Sequence, residues 1–191
     1  MKKKILISTL AAMMILLVCL GIGIGASAAE LPAASSGEVI DVWLIAGQSN
    51  AIGSAKVSNY PTDAAYAEYK ALLESGSENV WYIGNSLTDF VPTGFGLGSG
   101  SSSAGPEIGI ATALDKSANK NAIIKVAYGN SSLYNNTSSD VSIQRGTWTP
   151  PTYIDKYNIN TVGNRTGDLY LTFINKVGEG LDELRDRKSV V

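Results

Sequence analysis

Hydrophobic residues concentrate along the chain in three short runs that are rich in β-branched and aromatic side chains. The runs cover residues 39–47, 79–84 and 122–128, and a glycine closes each of them. Apolar runs of this length predict strands buried within a sheet. The first run, which ends in Ala46-Gly47, predicts a central strand.

Between and after these runs, apolar residues recur at helical spacing. The sequence predicts helices over 63–75, from Pro106 onward, and over 167–185. Their apolar stripes are, in chain order, Tyr66, Tyr69, Leu72 and Leu73; Ile108, Ala111 and Leu114; and Leu169, Phe173, Val177, Leu181 and Leu184. Pro106 and Glu107 suit a helix start, whereas Gly178 and Gly180 weaken the last helix.

Two polar stretches separate these elements. Residues 94–105 are mostly Gly and Ser and predict a mobile loop, and residues 135–166 predict a long surface excursion. Strands that alternate with helices in this way are typical of an α/β domain with a parallel sheet. The chain of 191 residues is long enough for one such domain with its own core.

The N-terminus has the pattern of a secretory signal peptide. A basic head, Lys2-Lys3-Lys4, precedes an apolar run over 5–20, and Ala26-Ser27-Ala28 offers the small residues that a signal peptidase needs. We therefore expect residues 1–28 to be a signal peptide, 29–37 a linker, and the mature protein to be secreted or periplasmic. The alternative is an uncleaved membrane anchor.

Cleavage changes the composition of the mature chain. Cys19 lies in the apolar core of the signal, and Val18 before it is too bulky for a lipidation site, so no cysteine remains. Lys+Arg falls from 15 to 12 against 17 acidic residues, a net charge of −5. We expect no nucleic-acid partner and, after cleavage, no membrane partner.

The sequence contains no histidine. This count removes the commonest general base and the commonest metal ligand. Complete Ser-His-Asp and Cys-His catalytic sets and histidine-based zinc sites are therefore excluded within these residues. We expect no metal and no organic cofactor.

Three segments carry candidate chemistry. Gly47-Gln48-Ser49-Asn50 follows the first strand, where a serine on a turn has the setting of an activated nucleophile. Gly105-Pro106-Glu107 begins a helix, where N–H groups can polarise a carbonyl oxygen. After the third strand, Gly129 permits close backbone approach and Asn130 offers an amide donor. For each segment, an ordinary polar turn or helix start without a function is the alternative.

In order and together, three blocks resemble one family. The blocks are V-W-L-I-A-G-Q-S-N, G-P-E-I-G-I-A and I-I-K-V-A-Y-G-N-S-S-L, which begin at Val42, Gly105 and Ile123. They resemble the sialate O-acetylesterase-like group of SGNH hydrolases, which includes carbohydrate acetylesterases similar to acetylxylan esterases. The resemblance extends from Val42 to Leu184.

This resemblance implies a three-layer α/β/α sandwich around a parallel sheet. It implies that Ser49 is the nucleophile that attacks an acetyl ester on a sugar hydroxyl. The Ser49 N–H, Gly105 and the Gly129–Asn130 turn match the family's oxyanion-stabilising blocks; Asn130 is a departure, because this position is usually glycine in the group. The other residues implied at the substrate are Gln48, Asn50 and Glu107.

Two elements of the family pattern are absent from the sequence: the Trp-x-Gln-Gly-Glu-Ser-Asp strand end and the Asp-x-x-His block that supplies the base. We therefore expect residues 38–185 to be a partial hydrolase domain, inactive and prone to aggregation. Neither Lys125, in a strand, nor Glu107, at a helix start, is expected to replace the base. Residues 186–191 match a translation of GAT CGG AAG AGC GTC GTG, a string typical of a sequencing adapter, and predict a non-native tail. An ordinary charged C-terminal tail is the alternative.

The sequence thus predicts a secreted serine esterase that removes acetyl groups from sugar hydroxyls, with an acetylated carbohydrate as its partner. The alternative is a non-catalytic carbohydrate-binding module. Only Trp148 is a suitable stacking platform for it, because Trp43 and Trp81 lie in predicted buried strands. A lipase-like relative is disfavoured because the block reads Gly-Gln-Ser instead of Gly-Asp-Ser.

Overall fold

A computed structural model describes residues 38–131, 147–156 and 168–189. All of these residues belong to one compact unit, 31–191. The predicted signal peptide and linker, and most of the predicted surface excursion, lie outside the described residues.

The described part of the chain contains six strands, five α-helices and two 3₁₀ helices, Val57–Asn59 and Ala64–Tyr66. The strands are β1 Ile40–Gly47, β2 Ala55–Lys56, β3 Ser77–Ile83, β4 Val91–Thr93, β5 Ser103–Ala104 and β6 Lys120–Ala127. The helices are α1 Ser49–Ile52, α2 Ala67–Ser75, α3 Glu107–Leu114, α4 Pro151–Lys156 and α5 Asp168–Ser189. Strands β1, β3 and β6 correspond to the three apolar runs.

The main sheet has four strands in the order β1-β6-β3-β4. Strand β6 pairs in parallel with both β1 and β3, whereas the short β4 runs antiparallel to β3. Strands β2 and β5 form a separate antiparallel pair. The predicted α/β domain with a parallel sheet is thus confirmed as a mixed α/β fold whose sheet is mostly parallel.

Helices cover both faces of the β3–β6 pair, because side chains alternate between the faces of a strand. On one face, Leu73 of α2 and Ala111 of α3 pack with Val80, Tyr82 and Ile123. On the other face, Leu184 of α5 packs with Trp81, Ile83, Ala122 and Ile124. Burying each large apolar side chain contributes ~1.5–3 kcal/mol, so the centre of stability lies at this strand pair.

Gly180 allows α5 to approach the sheet closely. A Cβ atom at this position would lie 2.7 Å from Cδ1 of Ile124. Polar contacts anchor the same helix to the segment after β3: Lys176 donates to the Leu87 carbonyl at 2.6 Å, and Glu183 accepts the Phe90 N–H at 3.0 Å. The glycine that lowers helix propensity therefore permits the helix to pack.

The prediction that the first run is a buried central strand is wrong for the described sheet. Strand β1 is the terminal strand, paired only with β6. Val42, Trp43 and Leu44 are 36%, 43% and 52% exposed, and because neighbouring residues alternate, both faces of β1 are largely exposed at its centre, while Ile40 and Ile45 pack partly against the core. The apolar pattern specifies a strand, but it does not specify how many neighbours the strand has.

The predicted helices are confirmed with changed boundaries. The predicted helix 63–75 is a 3₁₀ turn, Ala64–Tyr66, followed by α2, and Tyr66 and Tyr69 are exposed instead of packing on the core. Helix α5 continues to Ser189, so part of the predicted tail is helical, and Arg187 pairs there with Glu183 at 2.6 Å. None of the described helices is both long and apolar enough to cross a membrane.

Candidate functional site

Strands β1 and β6 end side by side, at the edge where the candidate residues lie. Gly47 is opposite Ala127 in the parallel register, and the Tyr128 N–H donates to the Gly47 carbonyl at 3.0 Å. Ser49 opens α1 directly after β1, and the Gly129–Asn130 turn directly follows β6. The structure therefore brings the first and third sequence blocks to one edge of the sheet, where ligands bind in open α/β sheets.

Ser49 is exposed, and its hydroxyl donates to Oε1 of the neighbouring Gln48 at 2.6 Å. An amide oxygen accepts a hydrogen bond, but it does not remove a proton at neutral pH. Gln48 therefore orients the hydroxyl without activating it. Asn50 is likewise exposed on the first turn of α1.

Two glycines allow α1 to lie directly against the start of α3. Gly53, which follows α1, has φ +85°, and a Cβ atom there would lie 2.1 Å from the Gly105 Cα. Only glycine fits such an approach in a left-handed conformation. Gly105, the first residue of the second sequence block, therefore lies against the end of α1, the helix that begins at Ser49.

The Gly105 N–H already has a partner. It donates to Oε1 of Glu107 at 2.7 Å, so this N–H binds a carboxylate of its own block instead of pointing to a free oxyanion position. Glu107 itself has no exposed surface. The resemblance implied that Gly105 and Glu107 lie at the substrate, whereas in the structure they hydrogen-bond to each other.

The second oxygen of Glu107 forms a buried ion pair with Lys125. Glu107 Oε2 and Lys125 Nζ lie 2.7 Å apart, and the two side chains are 0% and 5% exposed. The ammonium also donates to the carbonyls of Ile52 at 3.0 Å and Leu97 at 3.1 Å. Lys125 lies in β6 and Glu107 in the first turn of α3, as predicted, and each is engaged by the other.

A cavity of about 510 Å³ lies beside these turns. The polar side chains of its lining are those of Tyr82, Asn85, Ser86, Ser99, Lys125, Tyr128 and Asn130. Among the predicted site residues, Gly129 and Asn130 line the cavity, whereas Gln48, Ser49, Asn50, Gly105 and Glu107 do not. Ile52 is the residue through which α1 contributes to the cavity wall.

Asn130 adopts a left-handed backbone conformation. Its φ is 57°, and it is the one non-glycine residue with positive φ in the part of the chain that the structure describes. Asparagine tolerates this conformation better than other side-chain-bearing residues do. A left-handed backbone at this position suits asparagine or glycine.

Sequence reasoning missed Asn85. Its amide donates to the Ala127 carbonyl at 2.6 Å and accepts the Ala127 N–H at 3.0 Å. These two bonds extend the β3–β6 pairing past the end of β3 to the last residue of β6, just before the Gly129–Asn130 turn. The signal in the sequence is an asparagine directly after the glycine that closes β3.

Tyr82 is a second lining residue that the sequence did not single out. Its hydroxyl donates to the Leu97 carbonyl at 3.3 Å, and its ring lies 5.2 Å from the Lys125 ammonium. Burial raises the pKa of the Tyr82 phenol, and the Glu107 carboxylate adds to the rise. The phenol thus stays protonated and serves as a hydrogen-bond donor.

Of the two tryptophans predicted to be buried in strands, one is buried and the other is not. Trp81 has no exposed surface, as predicted, but Trp43 is 43% exposed because β1 is an edge strand. Trp148 is partly buried, and its indole N–H donates at 2.9 Å to Ser131 Oγ, which donates to the Tyr128 carbonyl at 2.7 Å. Trp148 is thereby tied to the turn that lines the cavity.

Among the described residues, no three acidic or cysteine side chains come together as a metal-binding group. Comparison of the chain with protein-family models, curated proteins and solved structures gave no match.

Proposed function

We propose that this chain carries the nucleophile side of an exported serine esterase that removes acetyl groups from carbohydrate hydroxyls, with Ser49 as the nucleophile. The observation that supports this proposal is the meeting of the Ser49 turn and the Gly129–Asn130 turn at the ends of two paired parallel strands. The neighbouring cavity is lined by amides and hydroxyls and by a lysine, Lys125, whose charge is paired with Glu107, so it suits an uncharged, hydrogen-bonding ligand such as a sugar.

The proposed architecture is a three-layer α/β/α sandwich. Helices α2 and α3 on one face of the sheet and α5 on the other face support it. In such a fold the nucleophile lies at the carboxyl end of a strand, where Ser49 is found.

The proposed reaction proceeds through an acetyl-enzyme. The Ser49 oxygen attacks the acetyl carbonyl carbon, the bond to the sugar oxygen breaks, and the hydroxyl proton passes to that oxygen through a base. Water then attacks the acetyl-enzyme, which releases acetate and restores the serine. Backbone N–H groups of the Ser49 and Gly129–Asn130 turns are the proposed stabilisers of the oxyanion.

The 191 residues contain no histidine to act as the base, and the serine hydroxyl is bonded to an amide. Loss of the base from a catalytic triad lowers the rate on the order of a million-fold. We therefore propose that the chain alone does not turn over substrate and that a base supplied from outside restores part of the reaction.

Imidazole in solution is a suitable external base. We expect p-nitrophenyl acetate hydrolysis by the chain to increase with imidazole concentration beyond the increase that imidazole causes alone. Ser49→Ala should remove this excess. Ser58→Ala removes an exposed serine that also donates to a neighbouring amide oxygen but lies outside the cavity lining, and it should retain the excess.

An imidazole-dependent excess that persists in Ser49→Ala would contradict the assignment of the nucleophile. Turnover by the unmodified chain without imidazole that is abolished by Ser49→Ala would contradict the proposed need for an external base.

A carbohydrate-binding module is the second candidate, favoured by the fixed position of Trp148 beside the cavity-lining turn. The two candidate functions are distinguished by the residue on which the measured property depends. A binding module loses affinity for acetylated oligosaccharides in Trp148→Ala and shows no Ser49-dependent chemistry, whereas the esterase shows that chemistry.

The export part of the proposal rests on the sequence of residues 1–28. Expression in a secreting bacterium followed by N-terminal sequencing of the product tests it. A start at Ala29 is expected, and a full-length product retained in membranes would support the anchor instead.

A further inference from the structure

The buried Lys125–Glu107 pair has no part in the proposed chemistry, yet every strong hydrogen-bonding group of the pair is used. An ammonium has three N–H donors, and those of Lys125 go to Glu107 at 2.7 Å, Ile52 at 3.0 Å and Leu97 at 3.1 Å. Glu107 accepts from Lys125 with one oxygen and from the Gly105 N–H with the other. Such complete pairing is what allows two charges to be buried.

The partners of the pair come from segments that are distant in sequence and adjacent to the candidate site. Ile52 is the last residue of α1, which Ser49 opens. Leu97 belongs to the cavity wall, and Gly105 leads into α3. One ion pair on β6 and α3 therefore joins the nucleophile helix to the wall of the cavity.

Two backbone hydrogen bonds connect Ser49 to the same network. The Gly53 N–H donates to the Ser49 carbonyl at 3.1 Å, and the Gly53 carbonyl accepts the Ser99 N–H at 2.8 Å. Because α1 has only four residues, its own hydrogen bonds are too few to fix it. Strand β1, which leads into it, pairs with β6 alone among the described strands and is largely exposed at its centre. The position of Ser49 thus depends on contacts made beyond α1.

We infer that Lys125 and Glu107 are positioning residues that hold the Ser49 turn against the cavity wall. Neither touches the reacting atoms, since Glu107 has no exposed surface and all three donors of Lys125 are taken. The inference rests on the proposed function only for the role of Ser49 as nucleophile. The hydrogen bonds that fix α1 do not depend on that role.

Lys125→Met is the most direct test, because methionine fills similar space without the three donors. Lys176→Met is the matched control: Lys176 is also buried and also donates to a backbone carbonyl, that of Leu87, but it lies on α5. Native-state hydrogen exchange is measured on the full chain at the Gly53 and Ser99 amides, with the β6 amides as the reference.

In Lys125→Met, exchange at Gly53 and Ser99 should rise by about tenfold to a hundredfold, the effect of losing hydrogen bonds to a charged group, while the β6 amides stay protected. Lys176→Met should leave Gly53 and Ser99 unchanged. Unchanged exchange at both amides in a folded Lys125→Met protein would overturn the inference.

The second readout is imidazole-supported acetylation of Ser49 by p-nitrophenyl acetate. A misplaced nucleophile should lower the maximal rate by about tenfold to a hundredfold and leave the half-saturating ester concentration unchanged. A lost rate with undisturbed exchange at Gly53 and Ser99 would indicate an acid–base role and overturn the positioning role. If the unaltered chain shows no acetylation while the exchange results hold, the proposed function fails and the positioning geometry stands.

Removal of one charge can unfold a protein that buries its partner. If Lys125→Met also loses β6 protection, the double variant Lys125→Met with Glu107→Gln replaces the pair by neutral groups. Selective loss of protection at Gly53 and Ser99 in the double variant supports the inference. Loss throughout β6 in this variant too would show that the pair supports the whole fold, which overturns a local role.

Discussion

The two ends of the main sheet are covered to different degrees. At β3 and β6, Trp81 and Ile123 have no exposed surface, whereas at β1 Trp43 and Leu44 are 43% and 52% exposed. The apolar composition of these strands is similar, so the difference comes from their neighbours. Helices cover both faces of β3–β6, but in the described part of the chain no strand pairs with the outer edge of β1.

This contrast matters because the candidate nucleophile follows the less supported strand. The Gly129–Asn130 turn follows β6, which is buried along most of its length, while Ser49 follows β1. The backbone bond from Tyr128 to Gly47 and the contacts of Lys125 compensate for the open edge. Contacts from the well-packed strand β6 thereby support both turns of the candidate site.

The largest expected effect is the difference between two tryptophans. Trp81→Ala should lower the free energy of unfolding by ~3–5 kcal/mol, because it opens a cavity in the buried strand pair. Trp43→Ala should cost only about 1 kcal/mol, mainly the hydrogen bond from its indole to Asn121 at 3.0 Å. Urea unfolding followed by circular dichroism measures both, and equal costs would show that β1 is as well packed as β3.

A smaller effect is expected at the turn after β6. Asn130→Ala should cost up to ~1–2 kcal/mol, because alanine keeps the Cβ that the left-handed conformation disfavours but lacks the short polar side chain whose local hydrogen bonds offset that cost. Asn130→Gly should be neutral or slightly stabilising, since φ 57° suits glycine. The same urea series distinguishes them; equal stability of both variants would mean that the turn relaxes away from this conformation.

A further effect separates a buried from an exposed tyrosine at high pH. Burial raises the pKa of Tyr82 above its ordinary value of 10.0, so its contribution to stability is complete below pH 10 and declines as the pH rises further. Tyr82→Phe should weaken the alkaline decline in unfolding free energy. Tyr69→Phe, an exposed control, should leave the decline as it is.

The smallest effect on stability is expected at the open edge itself. Leu44→Lys should change the free energy of unfolding by no more than about 0.5 kcal/mol, because the side chain is half exposed. It should nevertheless reduce self-association, since a charge on an edge strand opposes edge-to-edge pairing. Light scattering after size-exclusion chromatography measures this. The control Ala71→Lys adds the same charge to an exposed position on α2, and an equal reduction there would attribute the effect to net charge.

Local features of the fold were predictable from the sequence. The three apolar runs gave β1, β3 and β6, and the spacing of Ile108, Ala111 and Leu114 gave α3, because strand and helix patterns depend on neighbouring residues. The order β1-β6-β3-β4 was not predictable, since pairing depends on contacts between distant segments. For the same reason the exposure of Trp43 was missed.

The candidate site was predictable in part. Glycine, serine and asparagine at the strand ends located the Ser49 and Gly129–Asn130 turns, but the use of the Gly105 N–H by Glu107 required the fold. One signal was available: a lysine in the otherwise apolar strand that contains Lys125 must find a buried acceptor. Its partner, 18 residues earlier in the sequence, was not identifiable from spacing alone.

The central claim is that Ser49 is the nucleophile. Peptide mapping by mass spectrometry, after the chain is incubated with p-nitrophenyl acetate and imidazole, locates any acetyl group directly. We predict a single time-dependent acetyl group on the peptide that contains Ser49, absent from Ser49→Ala and retained in Ser58→Ala. An unmodified Ser49, or acetylation spread over lysines with no preference for this serine, would contradict the account.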